Sequence, residues 1–214
     1  MENYEEILEL VVNRLTQPQG SLQKKVVPLG ISNRHIHLSQ CAVDKLFGKG
    51  YQLTKIKDLA QPGQYACKEC VTLAGPKGVI QKVRVLGPVR PETQVEILQG
   101  DSFKLGVKGD VRLSGDLNGT SGITIIGSKG SLELTQGVIV AKRHIHMTLE
   151  DAKRLNVCDG ETVSIELTGS RGGTLNNVII RAQANATLEC HVDTEEANAL
   201  GITPGTCVEI IKNK

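Results

Sequence analysis

The residues best suited to chemistry come as a repeated phrase. Arg34-His35-Ile36-His37 returns 109 positions later as Arg143-His144-Ile145-His146, and the two copies hold four of the chain's five histidines. In an extended segment residues i and i+2 point to one face, so each His-x-His can aim two imidazoles at one point. Neutral imidazole is a common ligand for transition metals, zinc among them. One His-x-His alone is weak evidence, because a strand histidine is usually a hydrogen-bonded core or surface residue. Two copies in register are much harder to reach by chance.

The surrounding elements must position these pairs. Each phrase follows a β-branched run (26–31 and 138–141) and precedes a helix start, Leu38-Ser39 or Met147-Thr148. From residue 24 onward the pattern is short strands between close-set turns. Gly75-Pro76-Lys77-Gly78 leads into an alternating run at 79–86, and Gly87-Pro88 precedes another at 93–97. That rhythm predicts a mainly β fold, a small barrel or sandwich, rather than a parallel α/β sheet. Short helices are expected at 40–47, 101–106, 148–155 and 194–200, with Ser39, Asp101, Thr148 and Thr194 as N-caps. Residues 1–16 read as an amphipathic helix with Tyr4, Ile7, Leu8, Val11, Val12 and Leu15 on one face, ended by Gln17-Pro18-Gln19-Gly20-Ser21.

The repetition extends past the histidines. Residues 81–85 lie over 176–180, and Leu105-Gly106-Val107 over Leu200-Gly201-Ile202, both at an offset of 95. The change from 109 to 95 leaves about 14 extra residues in the first half, assigned to 48–64. Two related β-barrel domains from an internal duplication are expected, 24–118 and 119–214, behind an N-terminal helix and linker at 1–23. The same offset sets the last histidine, His191, over Glu96. Each half then offers three donors: His35, His37 and Glu96 in one, His144, His146 and His191 in the other. A carboxylate in an alternating strand is usually solvated, and only the repeat makes Glu96 a candidate ligand. Three protein ligands with positions left for water or substrate is the pattern of a catalytic metal site. Arg34 and Arg143 are read as packing beside the pairs or meeting acids, with no chemistry of their own.

Composition narrows the class. Hydrophobic residues at 39% and charged residues at 22% fit a soluble globular chain. No apolar run approaches the roughly 20 residues of a membrane span, and the N-terminus lacks the pattern of a secretory signal, so a cytoplasmic location is expected. A net charge of +2, three Tyr, two Phe and no Trp argue against nucleic acid. The six cysteines are expected as free thiols. Cys67-Lys68-Glu69-Cys70 lacks the second pair of a zinc ribbon and reads as structural. Cys41, Cys158, Cys190 and Cys207 have no basic neighbour and read as packing residues.

Several longer stretches carry a resemblance. Residues 28–39 around the first His pair, Gln61-Pro62-Gly63-Gln64-Tyr65-Ala66, Val85-Leu86-Gly87-Pro88-Val89-Arg90, Gln94-Val95-Glu96-Ile97, Leu113-Ser114-Gly115-Asp116-Leu117-Asn118-Gly119-Thr120, 138–147 and Val192-Asp193-Thr194-Glu195-Glu196-Ala197-Asn198 resemble the PduL-type phosphotransacylases, from about residue 26 to the C-terminus. The resemblance implies an enzyme interconverting acyl-CoA plus phosphate with acyl phosphate plus CoA. It implies two barrels and a pair of divalent metals, usually zinc, in the cleft between them. One metal would be held by His35, His37 and Glu96, with the CoA sulfur able to complete its shell. The other would be held by His144, His146 and His191 with waters. Arg90 matches the family's phosphate-binding arginine, and a guanidinium suits a bidentate grip on phosphate. The resemblance also implies that a short N-terminal segment directs some members into bacterial microcompartments, where shell or lumen proteins would be the partners. Residues 1–20 fit that description and equally fit a helix docked on its own barrel. A metal-dependent hydrolase of esters or thioesters, needing the same ligands but not phosphate, is the first alternative. A non-catalytic metal-binding or shell-associated protein is the second. Acyl preference (propanoyl or acetyl), the CoA-contacting residues and homo-oligomerisation stay open.

Overall fold

The computed structural model describes residues 26–212. The helix and linker expected over 1–23 lie outside the described residues. The first part of the chain runs β1 (Val26–Ser32), β2 (His35–His37), α1 (Gln40–Phe47), β3 (Lys55–Asp58), β4 (Tyr65–Gly75) and β5 (Gly78–Gly87). Next come β6 (Gln94–Ile97), α2 (Gln99–Leu105), β7 (Asp110–Arg112), β8 (Ser121–Ile126) and β9 (Ser131–Ala141). The last part is β10 (His144–Met147), α3 (Leu149–Leu155), β11 (Thr162–Leu167), β12 (Gly173–Ala182), β13 (Glu189–Asp193), α4 (Thr194–Leu200) and β14 (Cys207–Lys212). The fold is mainly β with short helices, as the turn spacing predicts.

The strands close into two six-membered rings of one design. The first runs β4-β5-β2-β6-β9-β8 and back to β4. The second runs β11-β12-β10-β13-β1-β14 and back to β11. Parallel and antiparallel pairs fall at matching places: β2 with β5 and β10 with β12 are parallel, as are β6 with β9 and β13 with β1. Closure leaves neither ring with an open edge. Strands β3 and β7 lie outside the rings, on β4 and β9.

The rings do not follow the linear halves. Strand β1 leads into the first His pair but closes the second ring, between β13 and β14. Strand β9 leads into the second His pair but closes the first, between β6 and β8. A cut between 118 and 119 therefore crosses both sheets. Each barrel keeps its own core: Val27 and Leu29 are buried with Ile145, Val163 and Val208, and Val138 and Val140 with Ile36, Val85 and Val95. Parallel neighbours cannot be joined by a tight turn, and in the second barrel β1 comes from the far end of the chain to lie beside β13.

Helix starts are set by local capping, and two of the caps differ from the expected residues, although α4 spans 194–200 as expected. Ser39 and Thr148 cap α1 and α3 as expected. Helix α2 begins after Leu98 rather than after Asp101, because the Asp101 carboxylate reaches back to accept from the Leu98 N–H at 3.0 Å. Helix α4 is capped by Asp193 rather than Thr194, with Glu196 accepting from the Asp193 N–H at 3.0 Å. The acid at the third helical position decides both starts. Among the cysteines, Cys67 and Cys190 are buried, but Cys41, Cys158 and Cys207 are exposed rather than packed. None of the described helices is long and apolar enough to cross a membrane.

Candidate active site

Strand alternation builds both ligand sets. Ile36 and Ile145, between the paired histidines, are fully buried, one in each barrel core. Their neighbours in each strand must then point out of the barrel, into the cleft between the two. The third donor comes from the antiparallel neighbour: Glu96 lies opposite His35, and His191 opposite His144. The register thus reproduces the 95-residue offset in space.

Arg34 and Arg143 hold the two phrases in place. The Arg34 Nε donates to Asp101 at 2.6 Å, and the Arg143 Nε bonds the Glu196 carboxylate. Asp101 and Glu196 are also the third-position acids that accept from the N-cap N–H of α2 and α4. One carboxylate therefore ties helix start to His strand in each half, the acid-pairing role that the sequence leaves open. The Gly100 N–H donates to Glu195, its counterpart at the 95-residue offset, at 3.1 Å, joining the first turns of α2 and α4.

The donors converge. In each triad one atom per residue lies within 4.8 Å of the others. His35 Nε2 is 3.3 Å from Glu96 Oε2, and His144 Nε2 is 3.1 Å from His146 Nε2. Ligands about 2.0–2.1 Å from a tetrahedral zinc stand about 3.3–3.4 Å apart, close to both separations. Protonation fits too. Burial, then the charges of His35 and Arg90, push His37 down to about 3, and its Nδ1 is buried without a hydrogen-bond partner. Burial and His191 lower His144 to about 4, and burial and His144 lower His146 to about 3. These rings are neutral at pH 7 and present lone pairs. Although burial opposes ionisation of Glu96, the charge of His35 and its hydrogen bond hold that carboxyl well below its usual range. The same Glu96 charge offsets the burial of His35 and raises its pKa. Two imidazoles with an ionised carboxylate, and three imidazoles, are sound donor sets for divalent zinc, and the residues fit the metals that the resemblance implies.

Both triads open on one cleft of about 820 Å³, lined from both barrels. Arg90 enters it from the loop after β5, its N–H bonded to the Leu38 carbonyl at 2.9 Å. That loop leaves β5 at Gly87, where a Cβ would meet the Tyr65 ring at 2.3 Å, so a larger residue would displace it. Arg90 Nη1 donates to Ser114 Oγ at 2.9 Å, and Gln94 Nε2 donates to the same oxygen at 2.8 Å and to Glu96 Oε1 at 2.6 Å. Gly115 N–H completes the patch on Gln94 Oε1 at 2.7 Å. Burial lowers the Arg90 pKa, and the charge of Arg181 lowers it further.

Arg181 is a site residue that the sequence does not expose. It lines the cleft on β12 beside His146, and its charge also lowers His144 and His146. Its partner in the other ring is Leu86, opposite His37, so the repeat gives no hint of it. Ser114, Gly115 and Gln94 stand within recognisable stretches, but nothing in their types marks a role. Neither Cys67 nor Cys70 joins a donor cluster among the described residues. The extra residues of the first half reach the second: Gln61 donates to the Thr187 carbonyl at 3.0 Å and accepts from its N–H at 3.2 Å, across the cleft.

Comparison with known proteins agrees with this geometry. The phosphate propanoyltransferase family profile matches residues 28–203. A phosphate propanoyltransferase of Thermotoga maritima is 54% identical over 208 residues, 96% of this chain and 99% of that protein. One of Clostridioides difficile is 50% identical over 213 residues, 99% of each chain, and one of Rhodobacter capsulatus is 53% identical over 187 residues, 87% of each. With both triads and Arg90 inside the matched region, the chain belongs to the phosphate propanoyltransferase family and is an acyltransferase.

Proposed function

We propose that the enzyme interconverts propanoyl-CoA and phosphate with propanoyl phosphate and CoA, at two zinc ions held by His35, His37 and Glu96 and by His144, His146 and His191. The observation that carries this reading is that both triads, Arg90 and Arg181 share one cleft. Acetyl-CoA is the second acyl donor to test, since nothing in the cleft sizes the acyl group. Bound metals there supply Lewis-acid polarisation of the thioester carbonyl and stabilise the departing thiolate.

The chain's own groups handle the anion. Arg90 and Arg181 are like charges that a phosphate between them would reconcile, lowering the cost of bringing two anions together. Ser114, already bonded by Arg90 and Gln94, adds a hydroxyl to that patch. A phosphate oxygen forms the new bond to the acyl carbon, the carbon–sulfur bond breaks, and the electron pair leaves on the CoA sulfur. Direct attack suits a cleft that none of the described cysteines lines: Cys67 and Cys190 are buried in the barrel cores, where burial pushes them up to about 11 and about 12. In this reading His144→Ala or Arg90→Ala abolishes acyl-phosphate formation in a folded protein, and full activity in either variant would overturn it. Thiol release from acyl-CoA that proceeds equally without phosphate would instead mark a hydrolase.

Residues 1–20 bear on location. Their sequence supports packaging into a microcompartment and equally a helix docked on the barrel. Deleting them separates the two: unchanged activity with lost encapsulation marks packaging, and lost stability marks docking.

A further inference from the structure

The geometry points to Glu189 as the residue that positions His191 and fixes which of its nitrogens faces the second metal. This rests on the two-metal reading above. In the paired registers, Gln94 lies opposite His37 as Glu189 lies opposite His146. The two halves differ there in a matched way. In the first, the Gln94 amide donates to Glu96 at 2.6 Å. In the second, Glu189 Oε2 stands 2.6 Å from His191 Nε2. An ionised carboxylate can only accept, so a neutral His191 bonded there carries its proton on Nε2 and keeps the lone pair on Nδ1. A carboxylate ligand is thus given a donor, and an imidazole ligand an acceptor.

This makes His191 the odd member of its set. His35 and His144 send Nδ1 to backbone carbonyls, Asn33 at 2.8 Å and Lys142 at 2.7 Å, which leaves Nε2 for the metal. Glu189 turns His191 the other way. It is not among the atoms gathered within 4.8 Å, so it acts through His191 rather than as a fourth ligand. Its place is built into the backbone. Gly30 on β1 pairs with His191, and a Cβ there would meet the Glu189 carboxyl carbon at 2.7 Å. The corresponding position beside Glu96 is Ile139, where no acid needs the room. Carboxylates bonded to a ligating histidine set its tautomer and raise its basicity.

The test reads metal rather than turnover. Zinc content is measured for wild type, and zinc affinity by chelator competition for His37→Ala, which leaves the second cluster to be read alone, and for Glu189→Ala and Glu189→Gln in that background. Nitrogen-15 NMR of the zinc-loaded protein reports the His191 tautomer. Expected are a loss of about 10–100-fold in affinity for Glu189→Ala, a smaller loss for Glu189→Gln, which still accepts through its amide oxygen, and an Nε2-protonated His191. Unchanged affinity in both variants, or His191 ligating through Nε2, would overturn the assignment. Fewer than two zinc ions in wild type would instead overturn the two-metal reading, before any variant is made.

Discussion

Arg181 shows how much one side chain can carry without a trace in the repeat. Its counterpart is an aliphatic residue, and its only signature is the charge it projects on Arg90, His144 and His146. If it grips phosphate with Arg90, Arg181→Ala removes one or two charge-assisted hydrogen bonds of about 1.5–3 kcal/mol each, or about 10–100-fold for one. The phosphate KM should rise by about that factor while the acyl-CoA KM barely moves. A rise in the acyl-CoA KM alone would reassign the residue. The cysteines give a second residue-scale prediction. Cys190 is pushed up to about 12 by burial, then by Glu196 and Glu189, and Cys67 to about 11 by burial and Glu69. A raised thiol pKa keeps the unreactive protonated form, so both stay silent at pH 8. A thiol reagent at that pH should label the exposed Cys41, Cys158 and Cys207 quickly, and Cys67 and Cys190 only on unfolding. Rapid labelling of all six would contradict the burial.

At the scale of elements, a three- or four-residue strand does two jobs. In β10 the alternating faces put Ile145 in the core and His144 and His146 in the cleft. Cutting Ile145 to Ala should cost about 2–5 kcal/mol of stability, the usual range for a large-to-small change in a packed core. Urea unfolding measures it, and a loss under about 1 kcal/mol would mean that the strand is not anchored there. The His phrases and the turn-bounded strands were legible because their signals are local: periodicity of two, and glycine and proline at the turns. The caps of α2 and α4 were less so. Asp101 and Thr194 are favoured cap types, but Asp101 serves as the third-position acid of α2, accepting from the Leu98 N–H. At α4 Asp193 accepts from the Glu196 N–H, while the Thr194 hydroxyl donates to the Ser32 carbonyl.

At the scale of the molecule, the crossing strands decide what can fold alone. A fragment of residues 119–214 lacks β1, which pairs with both β13 and β14. Its ring would be open, with unpaired edges and a core missing Val27 and Leu29. Such a fragment should not unfold cooperatively by itself, and adding a peptide of residues 24–33 should restore a sharp transition. A cooperative isolated fragment would show that the exchange is dispensable. The exchange also sets the function's geometry, because each His phrase is reached through a strand locked in the opposite barrel.

The sequence by itself determined the candidate donors. His35, His37, Glu96, His144, His146 and His191 follow from spacing and one offset, because duplication copies register along with residues. It also contained the class of fold, which local alternation and turns dictate. Only the tertiary structure decided that the barrels trade strands, that Arg181 faces Arg90, and that Glu189 sits in the room left by Gly30. Each of these depends on contacts between residues far apart in the chain, which no local pattern encodes.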